Sequence, residues 1–192
     1  MLLFIIGPSA SGKGTQAELL AEKFHVPHLS IGELLRVEVK EGTKLGNKIA
    51  PLLNEGLFIP GYIIDHILSY KLEEAFKSSG GAIVDGFPRL YGQAIDIQHE
   101  IDAFKGYFCV LHYNLTYEAC YFRQLERIKL GGARSDDAKL RSRFDEYSRD
   151  VDAILTHYRK RHNLIEIDAS LSVVDVFHDT CEKLYDYLKN YG

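Results

Sequence analysis

A short apolar strand followed at once by a glycine-rich turn constrains the fold of this chain more than any other feature. Residues Leu2–Ile6 are all apolar, and they lead into the run GPSASGKGT at 7–15. A continuous apolar run of this length is typical of a strand buried on both faces of a parallel sheet. Residues 16–24 have helical periodicity. Strand, turn and helix in this order favour a parallel sheet that is flanked by helices.

The turn has the chemistry of a phosphate-binding loop. Its backbone N–H groups and the positive end of the next helix surround one anion site, where Lys13 adds a charge that can follow a phosphoryl group. Gly12 keeps the turn tight, and Thr15 is placed to reach a Mg²⁺ ion held by a nucleotide. The general motif has Ser or Thr directly after the lysine, whereas Gly14 intervenes here. The alternative is an ordinary strand-to-helix turn with a solvated lysine.

Apolar runs and amphipathic segments alternate along the rest of the chain. Strand-like runs occupy 81–85, 107–113 and 164–168, and helical periodicity is clear at 61–77, 117–129, 138–161 and 173–189. Ser172, with Asp175 three residues later, indicates the start of the last helix. This alternation predicts an α/β fold with right-handed crossovers, a doubly wound sheet and ligands at the carboxyl ends of the strands.

Two stretches interrupt the alternation. Residues 30–60 read as short helices separated by turn-forming glycines, which predicts an inserted subdomain. Residues 129–133 separate two helices and predict a mobile loop. A chain of 192 residues is long enough for one good core and too short for two ordinary domains, so we expect one domain with insertions.

Charge and cysteine content narrow the class of protein. A net charge of −4 argues against a general binder of nucleic acid or anionic membranes, because such a binder needs a basic surface. The three cysteines are an odd number without CxxC spacing, so neither a disulfide framework nor a zinc site is indicated. No apolar run is long enough to span a membrane. We expect a cytoplasmic protein whose polyanion site is local.

Two polar residues lie near the start of the predicted insertion and at the end of the 81–85 strand. Arg36 lies one turn into a helix in the run HLSIGELLR, where it can bind a phosphate in bidentate fashion or pair on the surface with Glu33 or Glu38. Asp85 ends a strand beside the phosphate loop, a position suited to orienting Mg²⁺ through water. A helix-capping aspartate is the alternative.

Several arginines fall close together in an otherwise acidic chain. Arg123 and Arg127 are four residues apart, so both can point from one helix face into a single cleft. The alternative is a helix laced with salt bridges to nearby acids. The other members of the group are Arg134, Arg141 and Arg143.

These motifs together resemble the adenylate kinase family, which includes adenylate kinases and UMP/CMP kinases. The resemblance is carried by GPSASGKGTQ, HLSIGELLR, DGFPR with a glutamine four residues later, and an RxxxR…GG…RSDD…R run. It covers nearly the whole chain. It implies a three-layer α/β/α P-loop fold with a five-stranded parallel sheet, a core of 1–29, 61–126 and 138–192, a monophosphate-binding insertion at 30–60 and a short lid at 127–137.

The resemblance also implies site residues. On the ATP side they are Gly12, Lys13, Gly14, Thr15, Arg123 and Arg127, and Arg123 would lie against the adenine. On the monophosphate side they are Ile31, Arg36, Leu57, Ile59, Gly86, Arg89, Gln93, Arg134 and Arg143, with the backbone of 56–60 around the base. Phosphoryl transfer would depend on Lys13, Arg89, Arg127, Arg134 and Arg143. Binding of Mg²⁺ would depend on Thr15 and Asp85.

The chain departs from the family pattern at a few positions. Ala10 stands where a third glycine is common, and we expect the loop to survive with altered flexibility. The distance from Asp137 to the last arginine is two residues shorter than usual. Arg143 is preferred over Arg141 for the phosphate site, because Tyr147 follows it by four residues as in family sequences.

The sequence motifs leave two alternatives for the base of the acceptor nucleotide. Ile31 and Leu90 fit neither the threonines of AMP-specific members nor the alanine and asparagine of UMP/CMP members. Gln93 favours AMP, because an amide pairs with an adenine edge as donor and acceptor together. The sequences HLSIGELLR, RSDD and IDAS, the last at 167–170, are closer to those of UMP/CMP kinases. We expect a monomer that transfers a phosphoryl group directly from Mg²⁺-bound ATP to AMP, with UMP or CMP as the alternative acceptor and an inactive nucleotide-binding module as the third interpretation.

Overall fold

The computed structural model describes residues 1–55, 57, 59–134 and 137–191. Five parallel strands form one sheet in the order β2-β3-β1-β4-β5. Their bounds are β1 Leu2–Ile6, β2 His28–Ser30, β3 Ala82–Asp85, β4 Phe108–Asn114 and β5 Leu164–Asp168. The apolar pattern alone does not predict β2, because three residues ahead of a helix carry no measurable period. The five-stranded sheet implied by the resemblance is confirmed.

Helices connect the strands on both faces of the sheet. They are α1 Lys13–Phe24, α2 Ile31–Lys40, α3 Lys44–Asn54, α4 Gly61–Ser79, α5 Tyr91–Asp96, α6 Gln98–Ala103, α7 Tyr117–Lys129, α8 Leu140–Lys160 and α9 Val173–Tyr191, with a 3-10 turn at Asp137–Lys139. The helix predicted at 16–24 begins three residues earlier, directly after the phosphate loop. Ser172 caps α9 as predicted, because its Oγ accepts a hydrogen bond from the Asp175 N–H at 3.2 Å.

The side chains of β1 pack against helices on both faces of the sheet. All five of its side chains are buried, and they alternate between two apolar clusters. Leu2, Phe4 and Ile6 pack with residues of α2 to α6 and α8, whereas Leu3 and Ile5 pack with residues of α1, α7 and α9. Burying each such side chain contributes about 1.5–3 kcal/mol, so the sheet is stabilised from both faces. The α/β/α architecture is confirmed.

Helices α2 and α3 lie within the stretch predicted as an insertion. They cross at Gly46, where a Cβ atom would lie only 1.9 Å from the Glu38 carbonyl oxygen, so a glycine is required. Thr43 caps α3 through a 2.9 Å hydrogen bond from the Gly46 N–H to its Oγ1. Leu35 and Ile49 join the same apolar cluster as the sheet, which ties the helix pair to the core. Within the described ranges, no helix is long and apolar enough to cross a membrane.

Candidate active site

A deep cleft opens at the carboxyl ends of the strands. Its volume is about 980 Å³, and its walls come from the phosphate loop, α2, the end of β3, α7 and the start of α8. The cleft brings together most of the predicted phosphate ligands, which are Gly12, Lys13, Gly14, Thr15, Arg36, Asp85, Arg89, Arg123, Arg127, Arg134 and Arg143. Residues that are up to 131 positions apart in the chain therefore line one cavity.

Three residues of the phosphate loop have a positive φ, namely Gly7, Ala10 and Gly12, and the last two lie near the left-handed helical conformation. Gly12, the residue before α1, has φ +90°, which suits glycine. Ala10 has φ +67°, and a residue with a Cβ atom pays about 1–2 kcal/mol for such a conformation. The alanine at the family's third glycine position thus carries backbone strain at a site where strain is commonly stored.

Lys13 reaches back across the loop. Its Nζ donates a 3.0 Å hydrogen bond to the Pro8 carbonyl. The side chain is partly exposed to the cleft, but protein surrounds it on the loop side, and burial lowers the pKa of Lys13 to about 8 despite the opposing charge of Asp85. The positive charges of Arg89 and Arg143 lower this pKa further, which reflects how closely the three cations converge. This concentration of positive charge is suited to a polyphosphate.

Asp85 provides the carboxylate that a magnesium site needs. It ends β3 beside the loop, where a Cβ atom on Gly14 would lie 3.6 Å from its Oδ2. In the described part of the chain its buried Oδ1 has no hydrogen-bond partner, and His28 Nε2 lies 3.9 Å from Oδ2. An unpartnered carboxylate oxygen next to a phosphate loop fits a hydrated Mg²⁺ ion, and the exposed side chain of Thr15 lies in the same cleft.

Arg123 joins three segments around the cleft. Its guanidinium donates to the Ser11 carbonyl at 2.9 Å, the Ala169 carbonyl at 2.7 Å and the Leu171 carbonyl at 3.2 Å. These bonds connect α7 to the phosphate loop and to the β5–α9 connection. Arg123 therefore helps to hold this wall of the cleft.

Arg127 lies one turn further along α7 and forms an ion pair with Asp137. The carboxylate of Asp137 also accepts hydrogen bonds from Gln124 Nε2 at 2.8 Å and from the Arg134 N–H at 2.7 Å. Burial acts to raise the pKa of Asp137, but these hydrogen bonds and Arg127 lower it overall. Asp137 thus ties the segment predicted as the lid to α7. The intervening Ser135 and Asp136 lie outside the described residues.

The two candidate arginines at the start of α8 face different directions. Arg141 is 68% exposed, donates a 3.1 Å hydrogen bond to Asp145 and lies over the Tyr117 ring at 4.7 Å. Arg143 lines the cleft together with Lys13 and Arg89. The structure therefore brings Arg143, and not Arg141, to the phosphate ligands, as residues two apart on a helix must diverge.

The residue that follows β3, Gly86, positions the side chain of Arg89. Its Nε donates a 2.8 Å hydrogen bond to the Gly86 carbonyl. Gly86 has φ +83°, and a Cβ atom there would lie 2.9 Å from Arg89 Nη2. Glycine at this position lets the guanidinium fold back toward the cleft.

Arg36 pairs with Glu33, which is one of the two interpretations of its sequence position. It donates two hydrogen bonds to the Glu33 carboxylate, at 2.7 Å from Nη2 and 3.1 Å from Nε, and these lower the pKa of Glu33. The pair does not remove Arg36 from the site, because Arg36 also lines the cleft. An incoming phosphate can replace Glu33 as its partner.

A smaller pocket of about 30 Å³ branches from the cleft between α2, α3 and β3. Arginines stand at one end, and the rest of the wall is apolar apart from Gln93. Its lining includes the predicted residues Ile31, Arg36, Leu57, Ile59, Gly86, Arg89, Gln93 and Arg143, and also Leu35, Leu53 and Ile64. The last three were not predicted, although their periodic spacing on α2, α3 and α4 was available as a signal. Gly56 and Phe58 of the predicted base-binding segment lie outside the described residues.

The amide of Gln93 is engaged by its own surroundings. Its Oε1 accepts from the Arg89 N–H at 2.8 Å and from the Leu90 N–H at 3.2 Å, and its Nε2 donates to the Ile59 carbonyl at 3.3 Å. The oxygen therefore caps the first turn of α5. Leu90 does not line the pocket, although the resemblance associates its position with base choice.

A histidine–tyrosine pair behind the phosphate loop was not predicted. Nε2 of His112 lies 2.7 Å from the hydroxyl of Tyr147, and Tyr147 borders a cavity of about 20 Å³ shared with Lys13 and Arg143. Burial lowers the pKa of His112 and raises the pKa of Tyr147, so both are neutral near pH 7. No local sequence signal joins residues 112 and 147.

The fold and the cleft define a P-loop protein that binds phosphates at the edge of a parallel sheet. The family model for adenylate kinase matches residues 5–163. The chain is 32% identical over 191 residues to a UMP-CMP kinase from Lentinula edodes, with 93% of this chain and 83% of that protein covered. It is 33% identical over 180 residues to adenylate kinase 1 from Nostoc sp., with 92% and 95% covered. An adenylate kinase from Corynebacterium urealyticum is 32% identical over 184 residues, with 94% and 97% covered.

The chain belongs to the adenylate kinase family and is an ATP-dependent nucleoside monophosphate kinase. At about 30% identity, relatives named for AMP and for UMP and CMP match about equally well.

Proposed function

We propose that the protein transfers the γ-phosphoryl group of Mg²⁺-bound ATP to AMP and forms two molecules of ADP, reversibly. The observation that carries this proposal is the acceptor pocket, which joins an arginine-lined end to an apolar end with one buried amide, Gln93. A nucleoside monophosphate has the same polarity, with a dianionic phosphate at one end and a flat base at the other.

Donor binding rests on the phosphate loop and α7. The loop N–H groups of Gly12, Lys13 and Gly14, together with the N-terminus of α1, suit the ATP phosphates. Arg123 borders the adenine side of the donor site, where three carbonyls of the phosphate loop and the β5–α9 connection hold it. When ATP binds, Arg127 leaves its ion pair with Asp137 and pairs with the polyphosphate.

Acceptor binding and transfer rest on the converging cations. Arg36 and Arg89 hold the acceptor phosphate, and Lys13, Arg127, Arg134 and Arg143 neutralise charge on the transferring group. Direct in-line attack by the acceptor's own phosphate oxygen needs positioning and charge neutralisation and no protein nucleophile, and one transfer arginine contributes about 10³–10⁵ in rate. When bound with ATP, Mg²⁺ supplies charge neutralisation on the phosphates, and Asp85 and Thr15 are the residues that would hold it.

The apolar wall favours adenine over pyrimidine bases. The larger ring of adenine covers more of this wall, which includes Ile31, Ile59 and Ile64, and each Å² of apolar surface removed from water contributes about 25 cal/mol. UMP or CMP is the second candidate, because the Lentinula edodes relative is named a UMP-CMP kinase.

A steady-state comparison tests the acceptor. With ATP held constant, coupled ADP formation is measured for AMP, CMP, UMP and dUMP. We expect kcat/KM to be highest for AMP by at least about tenfold, which corresponds to about 1.4 kcal/mol. A higher value for UMP or CMP overturns the AMP assignment. ATP binding without turnover of any acceptor would indicate an inactive nucleotide-binding module.

We also propose that the protein is a cytoplasmic monomer. Cys109, Cys120 and Cys181 are free and buried, which suits a reducing compartment. Light scattering during size-exclusion chromatography tests the monomer, with a mass near 21.8 kDa as the expected value.

A further inference from the structure

His112 lies inside the protein between a surface carboxylate and the phosphate-binding cleft. It belongs to β4, pairs in register with Glu166 of β5 and is only 5% exposed. Its Nε2 lies 2.7 Å from the hydroxyl of Tyr147, and its Nδ1 lies 3.9 Å from the carboxylate of Glu166. Tyr147, on α8, also lines the cavity of about 20 Å³ beside the phosphate loop. A line of polar groups therefore runs from the edge of the sheet to the cleft.

The charge of Glu166 decides which ring nitrogen of His112 carries the proton. Burial lowers the pKa of His112, so the ring is neutral near pH 7 and carries one N–H. In the described residues Nδ1 has no hydrogen-bond partner, and a carboxylate at 3.9 Å favours an N–H there over a lone pair. Arg159, which binds the same carboxylate, opposes this effect but is the weaker influence on His112. Nε2 is then the acceptor, and the Tyr147 hydroxyl donates to it.

With its proton held by His112, the Tyr147 oxygen can only accept further hydrogen bonds. The cavity that it lines is rich in donors. Among the described residues, the polar side chains of this cavity are three cations and two hydroxyls, which belong to Lys13, Arg89, Arg143, Ser9 and Tyr147. Lysine and arginine donate hydrogen bonds and accept none. Ser9 belongs to the phosphate loop itself, so Tyr147 is the acceptor that α8 supplies to these cations.

Arg143 is the cation for which Tyr147 is best placed. Tyr147 follows it by four residues on α8, so the two side chains leave the helix on one face, one turn apart. A guanidinium has five N–H groups and uses two in bidentate binding of a phosphate, so others remain for the protein. Resting on the transfer role proposed for Arg143, we propose that Tyr147 is a positioning residue. Its hydroxyl oxygen accepts a hydrogen bond from Arg143 and aims that guanidinium at the transferring phosphoryl group.

Tyr147→Phe tests this role by the rate of transfer. The charge of Arg143 stays in the cleft while its orientation is lost, and a misplacement of about 1 Å can cost about 10²-fold in rate. With the monophosphate that gives the highest kcat/KM as acceptor, we expect the single-turnover rate to fall about 10- to 100-fold and KM for both nucleotides to stay within about threefold. The matched control is Tyr158→Phe, because the buried Tyr158 hydroxyl has no partner among the described residues. A wild-type rate in Tyr147→Phe overturns the proposal, and the control should keep that rate within about twofold.

A double-mutant cycle shows whether Tyr147 acts through Arg143. Because a positioning residue has no effect once its target is gone, we expect Tyr147→Phe/Arg143→Ala to be as slow as Arg143→Ala alone, within about threefold. A merely structural role makes the two losses multiply, and that result overturns the proposal. If Arg143→Ala is slow and Tyr147→Phe is not, only the positioning role fails. If Arg143→Ala itself keeps the wild-type rate, the transfer role proposed for Arg143 fails, and the positioning role fails with it.

Two variants of His112 test how the hydroxyl is directed. His112→Gln keeps an acceptor for the Tyr147 hydroxyl, whereas His112→Leu removes it and leaves the hydroxyl proton free to turn towards the cations. We expect the transfer rate of His112→Gln to lie within about fivefold of the wild type and that of His112→Leu to fall by about tenfold or more. Equal rates in the two variants overturn the proposal. Circular dichroism establishes which variants are folded, and the cycle at Tyr147 and Arg143 decides the proposal even if a His112 variant is not.

Discussion

The ion pair between Arg127 and Asp137 joins α7 to the segment predicted as the lid. The same carboxylate accepts hydrogen bonds from Gln124 and from the backbone of Arg134. One acidic side chain therefore positions two of the proposed phosphate ligands before any nucleotide is bound.

Asp137→Asn tests this arrangement. Loss of the charge weakens three hydrogen bonds, and we expect a destabilisation of about 1–2 kcal/mol in urea denaturation. Because the folded state lowers the pKa of Asp137 from 3.8, its contribution is present above that pH and lost as pH falls through the folded value. Acid unfolding of the variant below about pH 4 should be correspondingly shallower than that of the wild type. Identical acid curves would contradict the role given to this carboxylate.

Ala10→Gly relieves the left-handed strain in the phosphate loop. The relief of about 1–2 kcal/mol exceeds the entropic cost of about 0.4–1 kcal/mol for a new glycine, so we expect unchanged or higher stability. The matched control is Ala21→Gly within α1, which should lose about 1 kcal/mol. Equal losses in both variants, measured by thermal denaturation, would show that Ala10 is not strained.

The arginines at the start of α8 make a matched pair for kinetics. Arg143→Ala removes a cation from the cleft, and we expect kcat to fall by about 10³-fold or more. Arg141→Ala removes an exposed ion pair with Asp145, and kcat should stay within about threefold. Single-turnover rates measure both, and a larger effect at Arg141 would reverse the assignment.

Tyr147→Phe leaves a buried ring nitrogen of His112 without its partner. Such an orphaned group costs about 1–3 kcal/mol, so the free energy of unfolding should fall by that amount. Tyr158 provides the control, because its buried hydroxyl has no hydrogen-bond partner among the described residues. Tyr158→Phe should leave stability unchanged or raise it. Equal losses in both variants would mean that the hydrogen bond contributes nothing.

The lowered pKa of Lys13 predicts how ATP use depends on pH. Because the folded pKa is about 8 and the unfolded value is 10.5, the burial cost to stability is present below pH 8 and is relieved between pH 8 and 10.5. Phosphate binding needs the charged form, so kcat/KM for ATP should decline above about pH 8 in the free enzyme. Lys13→Arg should remove that decline, since arginine stays protonated. A decline at the same pH in the variant would assign it to another group.

Local chemistry explains which parts of the fold were predictable. β1, the phosphate loop and α1 follow from residues within 24 positions, and their apolar run, glycines and helical period are all strong signals. β2 has three residues and becomes a strand only through pairing with β3, and α5 and α6 have six residues each, too few for a periodic pattern. Such elements depend on tertiary contacts that a sequence window does not contain.

The features of the site fall into the same two groups, those that follow from sequence motifs and those that depend on tertiary contacts. The identities of Lys13, Asp85 and Arg89 follow from motifs, and the preference for Arg143 over Arg141 follows from its spacing to Tyr147, as in family sequences. The engagement of Gln93 by its own helix depends on the backbone path at 89–90, and the contact of His112 with Tyr147 joins residues 35 positions apart. Neither relationship has a sequence signature.

We propose direct phosphoryl transfer between two nucleotides in one arginine-lined cleft. The most direct measurement follows the γ-phosphoryl label of ATP during incubation with AMP, in the wild type and in Arg89→Lys. We expect the label to appear in ADP and not in inorganic phosphate, and we expect Arg89→Lys to lose transfer because a lysine cannot bind a phosphate in bidentate fashion. Label released as inorganic phosphate, or undiminished transfer in Arg89→Lys, would overturn direct transfer.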